Sequence, residues 1–448
     1  MSAFRRLRDG FVGRSLAGTS IRLIDVPSRY GFHLIVAVGL GVVEAGSFYI
    51  VFSAMMLLAG LGRLGIDRSL TRVVARALAQ DRPGAARAAI GRAFRIAGAM
   101  SAVTIVAMAA GAGPVAVHLL KKPDLAWPLA VSSVTILPLT IGIVAAGALS
   151  GLNRILLSQM IYTWLWPAIF CVPALFLPID LLSAILLVAA SVTVSAAIGI
   201  VLTLRHLPPA APGEPPAEPE TLVATGLSLF TSEMIQLLLS YAPAFVLGIL
   251  STDAAVGRYA LAWRMALGVN LLVATIGFFA APRFAAFYAR GDMDGLRKMA
   301  AQSIAMSAAL SVVPTLIALV VAVPLLDLFG PGYAEAATTL RILLIGQMFA
   351  IAATATTELL GMTGFAHTLR HVNLLSLLVL GVGLAALSPP FGSEGAAMAT
   401  ALTIAVNGIA TTVGVRRNLG FWPQAALVDQ VAAFIRRRAQ SAAPANPS

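Results

Sequence analysis

The stretch TSIRLIDVPSRYGFHLIVAVGLG, Thr19 to Gly41, constrains this chain more than any other. Its length and apolar content suit one bilayer crossing of roughly 20 residues. Yet Arg22, Asp25, Arg29 and His33 interrupt it at helical spacing, which stacks all four on one face. At about 1.5 Å per residue the stripe runs roughly 16 Å along the axis, too deep for snorkelling alone. An ionised side chain facing lipid costs about 2.5–3.5 kcal/mol on insertion scales, so this face must look into protein or water.

The remainder of the chain fits walls around such a face. It is 448 residues long, 59% hydrophobic and only 11% charged, with a mean hydropathy of +0.89. Ordinary globular chains carry about 25% charge. No sustained alternating pattern of the kind a barrel needs is present, so the fold class is an all-α polytopic membrane protein. The expected crossings are twelve: 16–41, 48–75, 92–116, 127–150, 155–177, 182–204, 223–249, 257–284, 298–323, 337–362, 368–388 and 393–415.

A net charge of +12 could suggest nucleic acid, but its distribution excludes that partner. With the N-terminus inside, Arg72, Arg76, Arg82, Arg87, Arg92, Arg95, Arg154, Arg205 and most other arginines fall on the inner side, against Lys121, Lys122 and Arg258 outside. That asymmetry predicts an inner, plasma-membrane protein with both termini cytoplasmic and membrane lipids as neighbours. The single cysteine, Cys171, allows no internal disulfide. The N-terminus lacks the apolar core and cleavage site of a signal peptide.

The expected organisation is an inner-surface amphipathic segment (1–15), a six-helix bundle (16–206), a proline-rich cytoplasmic linker (207–222), a second six-helix bundle (223–417) and a cytoplasmic tail (418–448). The linker LPPAAPGEPPAEPE reads as a semi-rigid spacer. The halves are related by one constant offset, which pairs Gly46 with Gly257, Arg72 with Arg283, Asp81 with Asp292, Gly84 with Gly295 and Tyr30 with Tyr241. It also sets Arg22, Asp25 and Arg29 on Glu233, Gln236 and Ser240. Internal duplication is how transporters build two bundles around a central site.

The second crossing adds Arg63, Asp67 and Arg68. If it returns antiparallel to the first about a turn near Ala45, Asp25 reaches Arg63 or Arg68, and Asp67 reaches Arg22. Four arginines against two aspartates leave about two positive charges, matching a diphosphate, whose oxygens guanidinium forks grip. In the second half Glu233 and Glu358 are carboxylates in apolar runs, candidates for ion coupling, and Gln236 and Asn270 are candidates for hydrogen-bonding sugar hydroxyls. Pro27 predicts a kink in the first crossing. No nucleotide loop, HExxH, paired-cysteine metal site or GxSxG is present, and the longest outer loops, VHLLKKPDLAWP and LLDLFGPGYAEA, converge no acid–base groups. A transporter is therefore expected, without enzymatic activity, cofactor or metal.

Several stretches in order, VVEAGSFYIV, LGRLGIDRSLTRVVARALAQDRPGAAR, SGLNRILLSQ, AAVGRYALAWRM, APRFAAFYARGDMDGLRK and FGSEGAAMATAL, resemble the polysaccharide-exporter branch of the multidrug/oligosaccharidyl-lipid/polysaccharide (MOP) flippase superfamily. The resemblance covers roughly Arg14 to Arg417 and implies two six-helix bundles in a V that open alternately. It implies a polyprenyl-diphosphate-linked oligosaccharide as cargo, moved from the cytoplasmic to the periplasmic leaflet for surface or exopolysaccharide assembly, with a glycan polymerase or other export proteins as partners. Lipid II flippases of this superfamily carry cavity arginines in regions comparable to Arg22, Arg29 and Arg63. The alternative within the superfamily is a proton- or sodium-coupled drug or metabolite antiporter.

Overall fold

The computed structural model describes residues 11–207, 209 and 222–424, and among them there are helices and turns but no strand. The expected amphipathic segments at the two termini and most of the proline-rich linker lie outside the described residues, apart from the start of the first helix. The main helices are α1 (Phe11–Arg63), α2 (Ile66–Ala79), α3 (Pro83–Pro114), α4 (Ala126–Ser132), α5 (Ile136–Gly151), α6 (Ile155–Gln159) and α7 (Leu165–Ala174). They continue as α8 (Leu181–Arg205), α9 (Leu222–Leu250), α10 (Asp253–Ala289), α11 (Met293–Val320), α12 (Ala322–Asp327), α13 (Ala337–Met362) and α14 (Ala366–Leu419).

Nine stretches of the described residues are long and apolar enough to cross a bilayer. Two of them, Ile24–Ala79 and Ala366–Leu419, are 56 and 54 residues long, more than twice the roughly 20 residues one crossing needs. Each contains a glycine at positive φ inside its long helix: Gly41 in α1 (φ 68°) and Gly392 in α14 (φ 53°). The loop expected near Ala45 is thus helical, and the chain turns its dihedrals at Gly41, where no β-carbon opposes a positive φ. Pro27, expected to kink the first crossing, sits where the backbone dihedrals stay helical. The second crossing, expected unbroken over 48–75, is interrupted at Leu64 and Gly65 before α2 resumes at Ile66.

Contacts divide the chain into two compact units, one reaching to Ala260 with Phe329–Pro331, the other holding the rest. α9 and the first turns of α10, which follow the linker in sequence, therefore group with the first unit. Within it, Ile66, Leu70 and Val74 of α2 pack on Ala86, Ala89, Ile90, Ala93 and Ala97 of α3 and on Val144 and Ala148 of α5. The run of alanines lets these backbones approach closely, which is how helices gain packing where lipid offers no hydrophobic contrast. In the second unit, α13 and α14 are joined by buried hydroxyl pairs, Thr339 to Ser393 (3.1 Å) and Thr356 to Thr411 (3.0 Å).

The internal repeat has a physical counterpart in the first unit. A β-carbon added to Gly46 would overlap the carbonyl of Asp253 and lie 3.0 Å from the amide nitrogen of Gly257. One added to Gly257 would overlap the carbonyl of Val42 and lie 3.2 Å from the nitrogen of Gly46. The constant offset that equates Gly46 with Gly257 also equates Val42 with Asp253. The contact is therefore reciprocal, as at a two-fold axis. A polar clasp sits beside it: Ser47 Oγ donates to Asp253 Oδ2 (2.8 Å), and Lys122 pairs with Asp253 while donating to the carbonyls of Gly248 (2.8 Å) and Ser251 (3.3 Å).

Candidate functional site

Between α1 and α2 the helix is interrupted for two residues. Leu64 and Gly65 both hold positive φ (50° and 68°), and for leucine this costs about 1–2 kcal/mol. Gly65 is required twice over, because a β-carbon there would lie 2.5 Å from the carbonyl of Gly226 on α9. Gly226 in turn has room for no side chain, with the Leu64 carbonyl 2.6 Å from where one would begin. Ser69 fixes the same approach by donating to the carbonyl of Leu222 (3.0 Å), and Thr71 donates to the carbonyl of Gly147 on α5 (2.9 Å). The break thus sits against the backbone of α9, with charged residues on either side.

Arg63, the last residue of α1, directs Nη2 to Glu233 Oε1 of α9 at 2.8 Å, and both side chains are less than one-tenth exposed. Asp67, in the first turn of α2, is equally buried. Arg63 Nε, Glu233 Oε2 and Asp67 Oδ1 are buried with no hydrogen-bond partner. The pair is therefore single-pronged, although a guanidinium and a carboxylate can form two parallel bonds. Arg68 is exposed. Tyr162, in the π-helical turn Met160–Trp164, is 49% exposed and within electrostatic reach of Arg63, Asp67, Glu233 and Arg68.

The expected partnership of Arg63 with Asp25 is replaced by one with Glu233. Asp25 instead faces Arg29 along the same helix (3.7 Å), with the Arg29 side chain 56% exposed. Depth along the first two crossings alone leaves α9 out of account. The sequence marks Glu233 as a carboxylate in an apolar run, but nothing in it sets that residue beside Arg63, 170 positions earlier. Counting Glu233 lowers the formal surplus: four arginines (22, 29, 63, 68) against three acids (25, 67, 233) leave one positive charge instead of two.

Gln236 lies exposed one turn beyond Glu233, while Glu358 lies half-buried on α13 in the second unit. The side chains of Arg22 and Asn270 lie outside the described residues. His33 joins packing, its Nδ1 3.1 Å from the Tyr49 hydroxyl and its ring edge-on to Phe32. Among the described residues no three metal-ligating side chains converge. Tyr162 was missed because nothing in its run of residues announces a π-helical turn.

These elements define a multi-pass membrane protein with the fold of MOP-superfamily transporters. An inward-facing multidrug-resistance MATE transporter of that superfamily superposes with a TM-score of 0.72, at 15% identity, over 88% of this chain and 94% of its own. The lipid II flippase MurJ, in an inward-closed conformation, superposes with a TM-score of 0.70 at 9% identity, over 90% of this chain and 87% of its own. A MOP transporter from Pyrococcus furiosus, described as having a binding pocket of reversed polarity, gives 0.61 at 14% identity, over 90% and 96%. Comparison with curated proteins gives no match. Residues 19–288 match the model of the polysaccharide biosynthesis protein family, and the chain belongs to that family.

Proposed function

We propose that the protein is a flippase that carries a polyprenyl-diphosphate-linked oligosaccharide from the cytoplasmic to the periplasmic leaflet by alternating access, without chemical conversion of its cargo. The observation that carries this reading is the division of the basic residues in a polysaccharide-biosynthesis chain: Arg63 is neutralised in the interior, while Arg29 and Arg68 keep exposed guanidinium groups. Exposed guanidiniums grip phosphate oxygens in two-pronged fashion, and a lipid-linked headgroup brings two such groups. The polyprenyl chain stays in lipid, and Gln236 hydrogen-bonds the glycan. Moving two negative charges outward across an inside-negative membrane is favoured by roughly 4.6 kcal/mol at 100 mV, so the potential alone gives direction.

The location follows as part of the same reading: inner membrane, both termini cytoplasmic, two six-helix bundles of twelve crossings joined by the proline-rich linker. A drug antiporter would require a carboxylate free to exchange a cation. Of the two candidate carboxylates Glu233 is held by Arg63, which leaves Glu358 of α13 as the residue an antiporter would use. The test is reconstitution of the full chain in vesicles with a lipid-linked oligosaccharide placed in one leaflet and a lectin that reads the other. Protein-dependent appearance of glycan on the far side supports the reading. Its absence, with pH-gradient-driven drug uptake by the same vesicles, would overturn it in favour of the antiporter.

A further inference from the structure

We infer that Glu233 is a built-in stand-in for the cargo's phosphate: it occupies Arg63 in this state, and a diphosphate displaces it. The inference rests on the proposed function and adds a binding residue and a switch to it. Arg63 and Glu233 meet through one contact at 2.8 Å, leaving Arg63 Nε and Glu233 Oε2 buried without partners. A buried pair repays its desolvation only when the remaining donors and lone pairs are also satisfied. Here they are not, so the arrangement is a weak hold on a strong anion site. A phosphate, with more acceptor oxygens in a geometry matched to the guanidinium fork, satisfies what the carboxylate leaves open.

The released carboxylate has a place to go. The charged groups around Glu233 are Arg63 from α1 and Asp67 and Arg68 from α2, with the phenol of Tyr162 facing the same cluster. Of these, Arg68 is the exposed cation, and its planar fork has donors enough to meet the released carboxylate on one edge while the other stays on the diphosphate. Displacement is also mechanically connected. Leu237, one turn after Glu233, fills the space above Gly60 of α1, and Gly226 packs on the Leu64–Gly65 break. Freeing Glu233 from Arg63 removes the ionic tie between α9 and α1 at this depth. Occupancy of the headgroup site thereby becomes loosening of a helix contact.

The experiment is titration of the full-length protein in nanodiscs with farnesyl diphosphate, with inorganic pyrophosphate as a second arm. Glu233→Gln should bind farnesyl diphosphate about tenfold more tightly than the wild type, and the gain should vanish in the Arg63→Gln/Glu233→Gln double variant. No gain in Glu233→Gln, while the wild type binds, overturns the stand-in and leaves the flippase reading intact. No binding by the wild type or any variant overturns both. A gain for pyrophosphate without one for farnesyl diphosphate overturns the lipid-headgroup assignment. Should Glu233→Gln not fold, the wild-type pair is tested directly with Leu237→Cys in a Cys171→Ala chain. Farnesyl diphosphate should raise maleimide labelling of that cysteine severalfold, and an unchanged rate refutes the displacement.

Discussion

Arg29 and Arg63 look alike in the sequence, yet their surroundings assign them opposite sensitivities. Arg29 is more than half exposed and 3.7 Å from Asp25, so the pair contributes at most about 1 kcal/mol. Arg29→Ala should therefore accumulate in the membrane as the wild type does while losing at least tenfold in glycan export, read by surface-glycan staining against an immunoblot. Full export by that variant removes Arg29 from the mechanism. Arg63→Ala leaves Glu233 buried and unpaired beside Asp67, a loss of about 3–5 kcal/mol. It should accumulate poorly, with a lowered melting temperature in detergent. Restoration of thermal stability by Glu233→Gln in the same chain checks that the stranded charge is the cause.

At the level of elements, the decisive features are backbone breaks. The helical, apolar character of the chain was legible, and so was the sharing of one face by Asp25 and Arg29, because helical spacing and length are local properties of sequence. The interruption at Leu64–Gly65 was not, since LGRLGID reads as helix until the backbone of α9 is brought against it. Glu233 was visible as a carboxylate in an apolar run, but its partner lies on a helix far away in sequence, and only packing supplies it. Gly65→Ala should be much more damaging than helix propensity suggests, because alanine adds a β-carbon against the Gly226 carbonyl at a positive φ. Loss of folded protein by size-exclusion profile is the expected result. At the start of α8, Asp180 accepts from the Ser183 amide (3.0 Å) while its own amide donates to Ser183 Oγ (2.8 Å). The Ser183 hydrogen bonds hold its carboxyl below the ordinary value. This cap is complete at neutral pH and is lost as pH falls through the lowered value, and Asp180→Ala should cost about 1 kcal/mol in a denaturant titration.

For the whole molecule, the internal repeat makes a claim stronger than sparse identities. If the halves derive from one unit, a residue and its equivalent should experience the same environment wherever they meet. Gly46 and Gly257 do meet, and each is pressed against the carbonyl of the residue four before the other, Asp253 and Val42. Such a crossing admits no side chain from either direction, so Gly46→Ala and Gly257→Ala should destabilise by similar amounts, about 1–3 kcal/mol each. The two should also be non-additive, because the first methyl already forces apart the backbones that the second would press on. Lys122 and Ser47 hold Asp253 beside this crossing, so Lys122→Met should weaken the same contact from outside it without adding bulk. Melting temperatures of the two single variants, the double variant and Lys122→Met check the scheme. Additive glycine effects, or tolerance of one substitution and not the other, would show that the crossing is an accident of packing instead of the seam between two copies of one ancestral unit.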